Sequence, residues 1–313
     1  MSGGEFDRIA RYFAPLANEA ALGLTDDAAV WTPPAGTSLV LTVDQMVEGV
    51  HFLPDDPPDC VARKLLRRNL SDLAAMGAEP IGYLLTTALR ADTPETWLAD
   101  FADGLRLDQQ KFGIALFGGD STSTPGPVMT SVTMIGHVAP GLAWHRAGAR
   151  AGDAVFVTGT IGDAVLGLEA ARGKLADPTG YFRERRLLPE PRIGLRLASW
   201  VHAAIDVSDG LVQDLGHICE NSGLGAEIEA ALVPASVPAR AAGEAWLETR
   251  LTGGDDYELV LAAPAGTEPA LRAACAPVPI TRIGVFTDSH RKIVVTDGHG
   301  VVMAFAHPGW QHF

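Results

Sequence analysis

A two-domain α+β fold of mixed strands and helices follows from three features of the chain. Its 313 residues allow two units of ~150 residues each. Apolar runs of strand character alternate with segments of helical periodicity along the whole length. The alternation breaks once, at the polar stretch RAGARAGD, and then restarts, which divides the chain into residues 1–148 and 149–313.

The first domain opens with FDRIARYFAPL, where Phe6, Ile9, Ala10 and Phe13 fall at helical spacing. SLVLTVDQMVEGVHF reads as a buried strand through Val43 that turns polar at Asp44. CVARKLLRRNLSDLAAMGA is a helix: Ala62, Leu65, Leu66, Leu70, Leu73 and Met76 make its apolar stripe and Gly77 its stop, while Asn69 and Asp72 project together from another side. IGYLLTTALR gives a strand, PETWLADFADGLRLDQQKF a helix, IALFGGDST a strand ending near glycines, and VMTSVTMIGHV another strand. The second domain begins with the strand AVFVTGT and the helix IGDAVLGLEAARG. A helix over 191–201, the strand AAID, a helix from Asp209 to about Asn221, the strand DDYELVLAAP, the helix EPALRAACA and a closing strand pair, ITRIGVF and KIVVTDG, complete it.

Composition removes several classes of function. A net charge of −14, with 24 Lys and Arg of which four are Lys and no basic run, argues against nucleic acid or an anionic membrane as partner. Cys60, Cys219 and Cys275 are odd in number, far apart and without CxxC spacing, which suits thiols in a reducing compartment. The opening MSGGEFDRIA is acidic where a signal peptide is basic and then apolar, and no 18-residue uncharged apolar run follows. The expectation is a cytoplasmic protein.

Acidic turns dominate what remains. TDDAAV offers Asp26 and Asp27, TVDQMVEGVHF offers Asp44 with Thr42 two residues before it, and NLSDLAAMGA offers Asp72. GGDST offers Asp120, DVSDG offers Asp206 and Asp209, and GGDDYEL offers Asp255 and Asp256. Two like charges ~4 Å apart repel by about 4 kcal/mol at an effective dielectric of 20, so a cation is expected among them. Magnesium, shared between carboxylates and phosphate groups, meets that need. At any one segment an Asp serves equally well as a helix cap or turn former; six such segments together do not reduce to capping. Asp214, opposite the apolar stripe Leu211, Val212, Leu215, Ile218 and Cys219, reads as solvated or structural. Ser208 is placed to cap the helix that follows, and the N–H groups of that helix's first turn favour phosphate.

Competing motifs fail. A calcium loop starting at Asp206 needs Gly and Glu where Leu211 and His217 stand. A Walker A loop is absent, the single Gly-Lys pair being Gly173-Lys174 followed by Leu175. TGTIGDA is a glycine turn able to approach phosphate, and Arg146 in HRAG is either a phosphate contact or a surface arginine. His51, just past a strand, is either a core histidine or a ligand contact. GxSxG and HExxH are missing, and nothing points to covalent catalysis.

Taken in order, TDDAAV, D-x-x-x-EGVHF, RKLLRRNLSDLAAMGA, GGDST, RAGARAGD-x-V-x-VTGTIGDA, DVSDGL, GGDDYEL and the closing PGWQHF resemble the signature series of thiamine-monophosphate kinases, members of the aminoimidazole ribonucleotide synthetase-like superfamily. The resemblance implies an N-terminal sheet forming a barrel-like dimer core, an α/β-type C-terminal domain, a homodimer, and phosphorylation of thiamine monophosphate by ATP with more than one Mg2+. It further implies that Asp27, Thr42, Val43, Asp44, Asp72, Asp120, Asp206 and Asp209 ligate magnesium. Gly119, Asp120, Arg146 and Ser208 would meet ATP, and His51, Asp255 or Asp256, and Trp310 would meet thiamine monophosphate. Thr25 stands where the family usually has glycine, and Asp255 where it has the longer Glu. A superfamily enzyme with another acceptor, such as aminoimidazole ribonucleotide or selenide, and a non-catalytic magnesium-nucleotide scaffold are the alternatives; the lack of a Cys before Cys60 speaks against selenide.

Overall fold

The structure, a computed structural model, describes residues 5–311. His312 and Phe313 of the closing PGWQHF, and the first four residues of the N-terminal stretch, lie outside the described residues. The chain forms two compact units, Met1–Leu73 with Ala78–Gly141 and Ala74–Gly77 with Leu142–Phe313.

In the first unit, α1 (Glu5–Arg8) passes into a single π-type turn over Ile9–Phe13, and Pro15 then limits helix to a short 3-10 turn at Ala14–Leu16. β1 (Ser38–Val47), α2 (Pro58–Ala75), β2 (Glu79–Leu89), α3 (Glu95–Phe112), β3 (Ala115–Ser123) and β4 (Met129–Val138) follow. The strands lie in the order β1-β4-β2-β3; β2 and β3 are parallel, joined across α3, and the other pairs are antiparallel. The stripe Ala62, Leu65, Leu66, Leu70 and Leu73 is fully buried, with Leu73 lying over Gly136 of β4. Asp108 of α3 is fully buried and clamped to α2 by Arg67 (Nε to Oδ2, 2.6 Å) and Arg63 (Nε to Oδ1, 3.1 Å).

β1 is not buried through Val43, as its apolar run suggests. It alternates: Thr42, Asp44 and Met46 face α2's side, while Leu41 (63% exposed) and Val43 (64%) stand on the open face with Leu39. An uninterrupted apolar run marks a fully buried strand only when both faces are covered, and here one face is open.

The second unit contains β5 (Asp153–Thr158), α4 (Asp163–Ala171), α5 (Tyr181–Leu187), β6 (Ala203–Asp206), α6 (Leu211–Ser222), β7 (Gly225–Glu229), α7 (Val237–Ala242), α8 (Leu247–Thr252), β8 (Leu259–Pro264), α9 (Glu268–Cys275), β9 (Ile280–Thr287) and β10 (Ile293–Thr296). Its sheet runs β10-β7-β9-β5-β8-β6. Leu211, Leu215 and Ile218 of α6 pack with Val155, Val157, Ile205 and Val260 on one face; Phe156, Leu259 and Leu261 pack with Leu197, Leu271 and Cys275 on the other. Hence every residue of β5 is buried.

Three expectations are corrected. Residues 191–201 form no helix: Gly194 stands at φ 85°, outside right-handed helical backbone, and Leu197 reaches the core from irregular chain. The closing strands β9 and β10 are not neighbours, because β7 lies between them. β8 starts at Leu259 rather than at Asp255, since Asp255 (φ 73°) and Tyr257 (φ 52°) adopt left-handed backbone that a strand cannot use.

Asp108→Ala would leave Arg67 buried without its carboxylate. We expect a loss of about 3–5 kcal/mol in denaturant unfolding, recovered in large part when Arg67→Met and Asp108→Leu are combined.

Candidate active site

In the first unit a cavity of about 750 Å³ lies against the open face of the sheet, lined by Asp27, Trp31, Thr86, Gly119, Asp120 and Thr133 among others. Asp26, Asp27 and Asp120 are exposed there. Thr25, where glycine is usual in the family, sits at φ −109° and needs no glycine; its hydroxyl donates to the Leu22 carbonyl at 2.9 Å. Left-handed backbone falls instead on Leu22 and Leu24. Gly119 is obligatory for another reason: a Cβ there would stand 1.9 Å from the Leu85 carbonyl oxygen. The bare backbone lets β3 close on β2 and present Asp120 one residue later.

Around α2, Thr42 donates to Asp72 (Oγ1 to Oδ2, 2.6 Å) and Arg68 donates to Asp44 (3.4 Å). Val43 points its side chain to the open face, so any ligand it supplies is its carbonyl. Asn69, expected beside Asp72, is fully buried; its amide donates to the Leu65 carbonyl, and its Oδ1 has no partner. His51 accepts the Val47 N–H at Nδ1 (3.1 Å), which selects the tautomer with the ring proton on Nε2.

The expected ligands are not gathered into one cluster. Among the described residues no group of three or more His, Cys, Asp or Glu side chains is placed to hold a metal ion. The strand order explains why within this unit: Asp44 on β1 and Asp120 on β3 belong to opposite edges of the sheet, three strand spacings or about 14 Å apart. The donor chemistry nevertheless suits magnesium, because every candidate is an oxygen.

In the second unit, β6 delivers Asp206, buried, and the chain then turns through Ser208 and Asp209. Ser208 does not cap α6; Gly210 occupies that position with no side-chain bond. Asp214 holds the turn. It is buried, and its Oδ2 accepts the N–H groups of Ser208, Asp209 and Gly210, each at 3.0 Å. Those donors belong to the turn that leads into α6, whose own first-turn N–H groups begin at Leu211. Burial pushes the Asp214 carboxyl up to about 7, aided by the charge of Asp209 and opposed by the three backbone bonds.

The GGDDYEL segment runs beside this turn. The Asp255 N–H donates to the Ser208 carbonyl (2.9 Å) and the Tyr257 N–H to the Val207 carbonyl (2.8 Å). Gly254 lies so close that a Cβ would stand 2.2 Å from the Ser208 oxygen. Asp256 is buried and accepts Gly162 N–H (2.6 Å) and Ala164 N–H (3.2 Å) at the start of α4; burial pushes its carboxyl well up. Glu258, fully buried, is held by Thr158 Oγ1 (2.7 Å) and by both arms of Arg192. These anchors flank two non-glycine residues in left-handed backbone, a conformation costing of order 1–3 kcal/mol each. Asp255 itself is half-exposed, with the Tyr257 hydroxyl donating to its Oδ1 at 3.0 Å.

Trp310 is 53% exposed. Its backbone N–H donates to the Asp209 carbonyl (2.9 Å), and Gln213 donates both to the Trp310 carbonyl (2.8 Å) and to Asp209 Oδ2 (3.2 Å). The backbone of Trp310 is thus tied beside Asp209. Arg146 lies exposed on a loop whose His145 carbonyl accepts the Ala204 N–H at 2.9 Å.

Asp214→Ala would orphan three N–H groups. Unfolding free energy is expected to fall by about 2–4 kcal/mol, with partial recovery in Asp214→Asn, whose amide oxygen still accepts.

Residues 25–138 match the family described as AIR synthase related protein, N-terminal domain, and residues 150–297 its C-terminal domain. The thiamine-monophosphate kinase of Caulobacter vibrioides is 42% identical over 98% of this chain and 90% of its own. The crystal structure of thiamine-monophosphate kinase from Stenotrophomonas maltophilia K279a superposes with a TM-score of 0.84 at 40% identity, covering 94% of this chain and 97% of that one. AaThiL complexed with AMPPCP and TMP superposes at 0.79 with 30% identity, covering 92% and 91%. Hydrogenase maturation protein HypE in complex with ATP shares the fold, at 0.81, with 19% identity over 98% and 96%. By its matches in both halves and its full-length kinship, the chain belongs to the thiamine-monophosphate kinase family of AIR synthase related proteins.

Proposed function

We propose that the protein phosphorylates thiamine monophosphate to thiamine diphosphate, passing the γ-phosphoryl group of ATP directly to the acceptor phosphate. The observation that carries this reading is the 30% identical neighbour complexed with AMPPCP, an ATP analogue, and TMP. We assign magnesium binding to Asp27, Thr42, the Val43 carbonyl, Asp44, Asp72, Asp120, Asp206 and Asp209. Magnesium supplies neutralisation of two anionic reactants and alignment of the transferred group. Gly119, Asp120, Arg146 and Ser208 take the nucleotide phosphates; at Ser208 the contact is the side chain, its N–H being held by Asp214. A phosphate acceptor is largely ionised near neutral pH, so the chain needs no strong general base.

Of the two aspartates in GGDDYEL we assign the substrate contact to Asp255. Asp256 is buried with both carboxylate oxygens engaged by backbone N–H groups. Trp310 offers a face to the thiazolium cation, a contact of ~0.5–2 kcal/mol, and His51 offers Nε2–H to the substrate.

The working form in this reading is a cytoplasmic homodimer built on the open sheet face. Leu39, Leu41 and Val43 stand there, with Leu41 and Val43 in register with Ile135 and Thr133. Asp44 and Asp120 sit on opposite edges of one sheet, which supports a site in which one copy contributes Asp44 and the other Asp120.

Protein, ATP and Mg2+ should give ADP and thiamine diphosphate only when thiamine monophosphate is present. ADP formed equally without acceptor, or ATP binding with no product, would overturn the assignment. Asp44→Asn and Asp120→Asn homodimers should each be inactive, yet regain activity when mixed and reassembled. Only a mixed dimer holds both wild-type aspartates in one site; absence of recovery would place both within one chain.

A further inference from the structure

We infer that Tyr257 is a positioning residue for the acceptor: its hydroxyl fixes the short carboxylate of Asp255 in the direction that meets the thiamine part of the substrate. The inference rests on Asp255 being a substrate contact.

The Tyr257 side chain is almost fully buried, and a phenylalanine would fill the same space. A buried tyrosine hydroxyl needs a hydrogen-bond partner, and here it donates to the half-exposed carboxylate two residues earlier (3.0 Å). Both residues adopt left-handed backbone, at φ 73° and 52°. With those torsions the segment is not strand, and the hydroxyl and the carboxylate meet at hydrogen-bond distance. The strain is held from outside the pair, by Asp256 on the start of α4, by Glu258 on Arg192, and by the backbone bonds to Val207 and Ser208. An acidic side chain one methylene shorter than the family's usual Glu has few ways to correct its aim. A carboxylate so oriented suits the amine and the cationic ring of thiamine, and it makes no demand on ATP.

The test compares Tyr257→Phe, Asp255→Ala and the double variant in steady-state kinetics. Loss of one hydrogen bond to a charged group should raise KM for thiamine monophosphate about tenfold in Tyr257→Phe, with kcat and KM for ATP held within about twofold. Asp255→Ala should raise the same KM at least as far, and the double variant no further, since the hydroxyl acts through the carboxylate. An unchanged KM in Tyr257→Phe beside a raised one in Asp255→Ala overturns the inference and leaves the substrate assignment standing, as does full additivity in the double variant. An unchanged KM in Asp255→Ala overturns both. If Tyr257→Phe lowers thermal stability, calorimetric binding of thiamine monophosphate below the transition gives the same comparison.

Discussion

Burying a carboxylate costs free energy unless donors surround it, and the second unit meets that condition with donors from its own turns. Asp214 takes three backbone N–H groups and Asp256 two, while Glu258 takes the fork of Arg192 and the Thr158 hydroxyl. Each carboxyl holds chain at a change of direction: Asp214 the turn before α6, Asp256 the start of α4, and Glu258 the head of β8. The acidic turns therefore contain two populations. Asp214, Asp256 and Glu258 are internal carboxyl groups that fix the backbone, and Ser208, Asp209 and Asp255 are the more exposed groups whose positions result.

This division changes what a helix N-terminus means here. The first turn of α6 looks from its sequence like a phosphate site, because uncapped N–H groups attract anions. The protein ties down the turn before it with a carboxyl of its own, from the fourth residue of the helix, and the N–H groups of the first helical turn, from Leu211 on, lie outside that set.

Much of this was readable from the sequence, and the limits are physical. The α2 stripe follows from periodicity alone, and the list of acidic segments from composition and spacing. The buried role of Asp214 was not readable, because an Asp on the polar side of an amphipathic helix looks the same whether it meets water or folds back on its own N-terminal turn. The left-handed backbone of Asp255 and Tyr257 was hidden too: DDYELVLAAP has strand composition, and only the close approach of Gly254 to Ser208 and the anchoring of Asp256 reveal that its first residues cannot be strand. The false helix at 191–201 came from apolar residues that reach the core without helical backbone. In β1 the apolar run suggests two covered faces, although one is open.

That open face comes from the register that aims the polar side chains of β1. A strand has a period of two, so Thr42 and Asp44 can face α2 only if Leu41 and Val43 face away. The oxygen-bearing side chains and the apolar stripe are thus produced by the same register, and a slip of one residue would expose the first set and bury the second. The sheet order adds a second constraint, since two strands separate β1 from β3 whatever the side chains do. Asp44, on the α2 side of one edge, and Asp120, on the open face of the other, are therefore held apart by strand order and by face alike, and no local adjustment of the four strands brings them together.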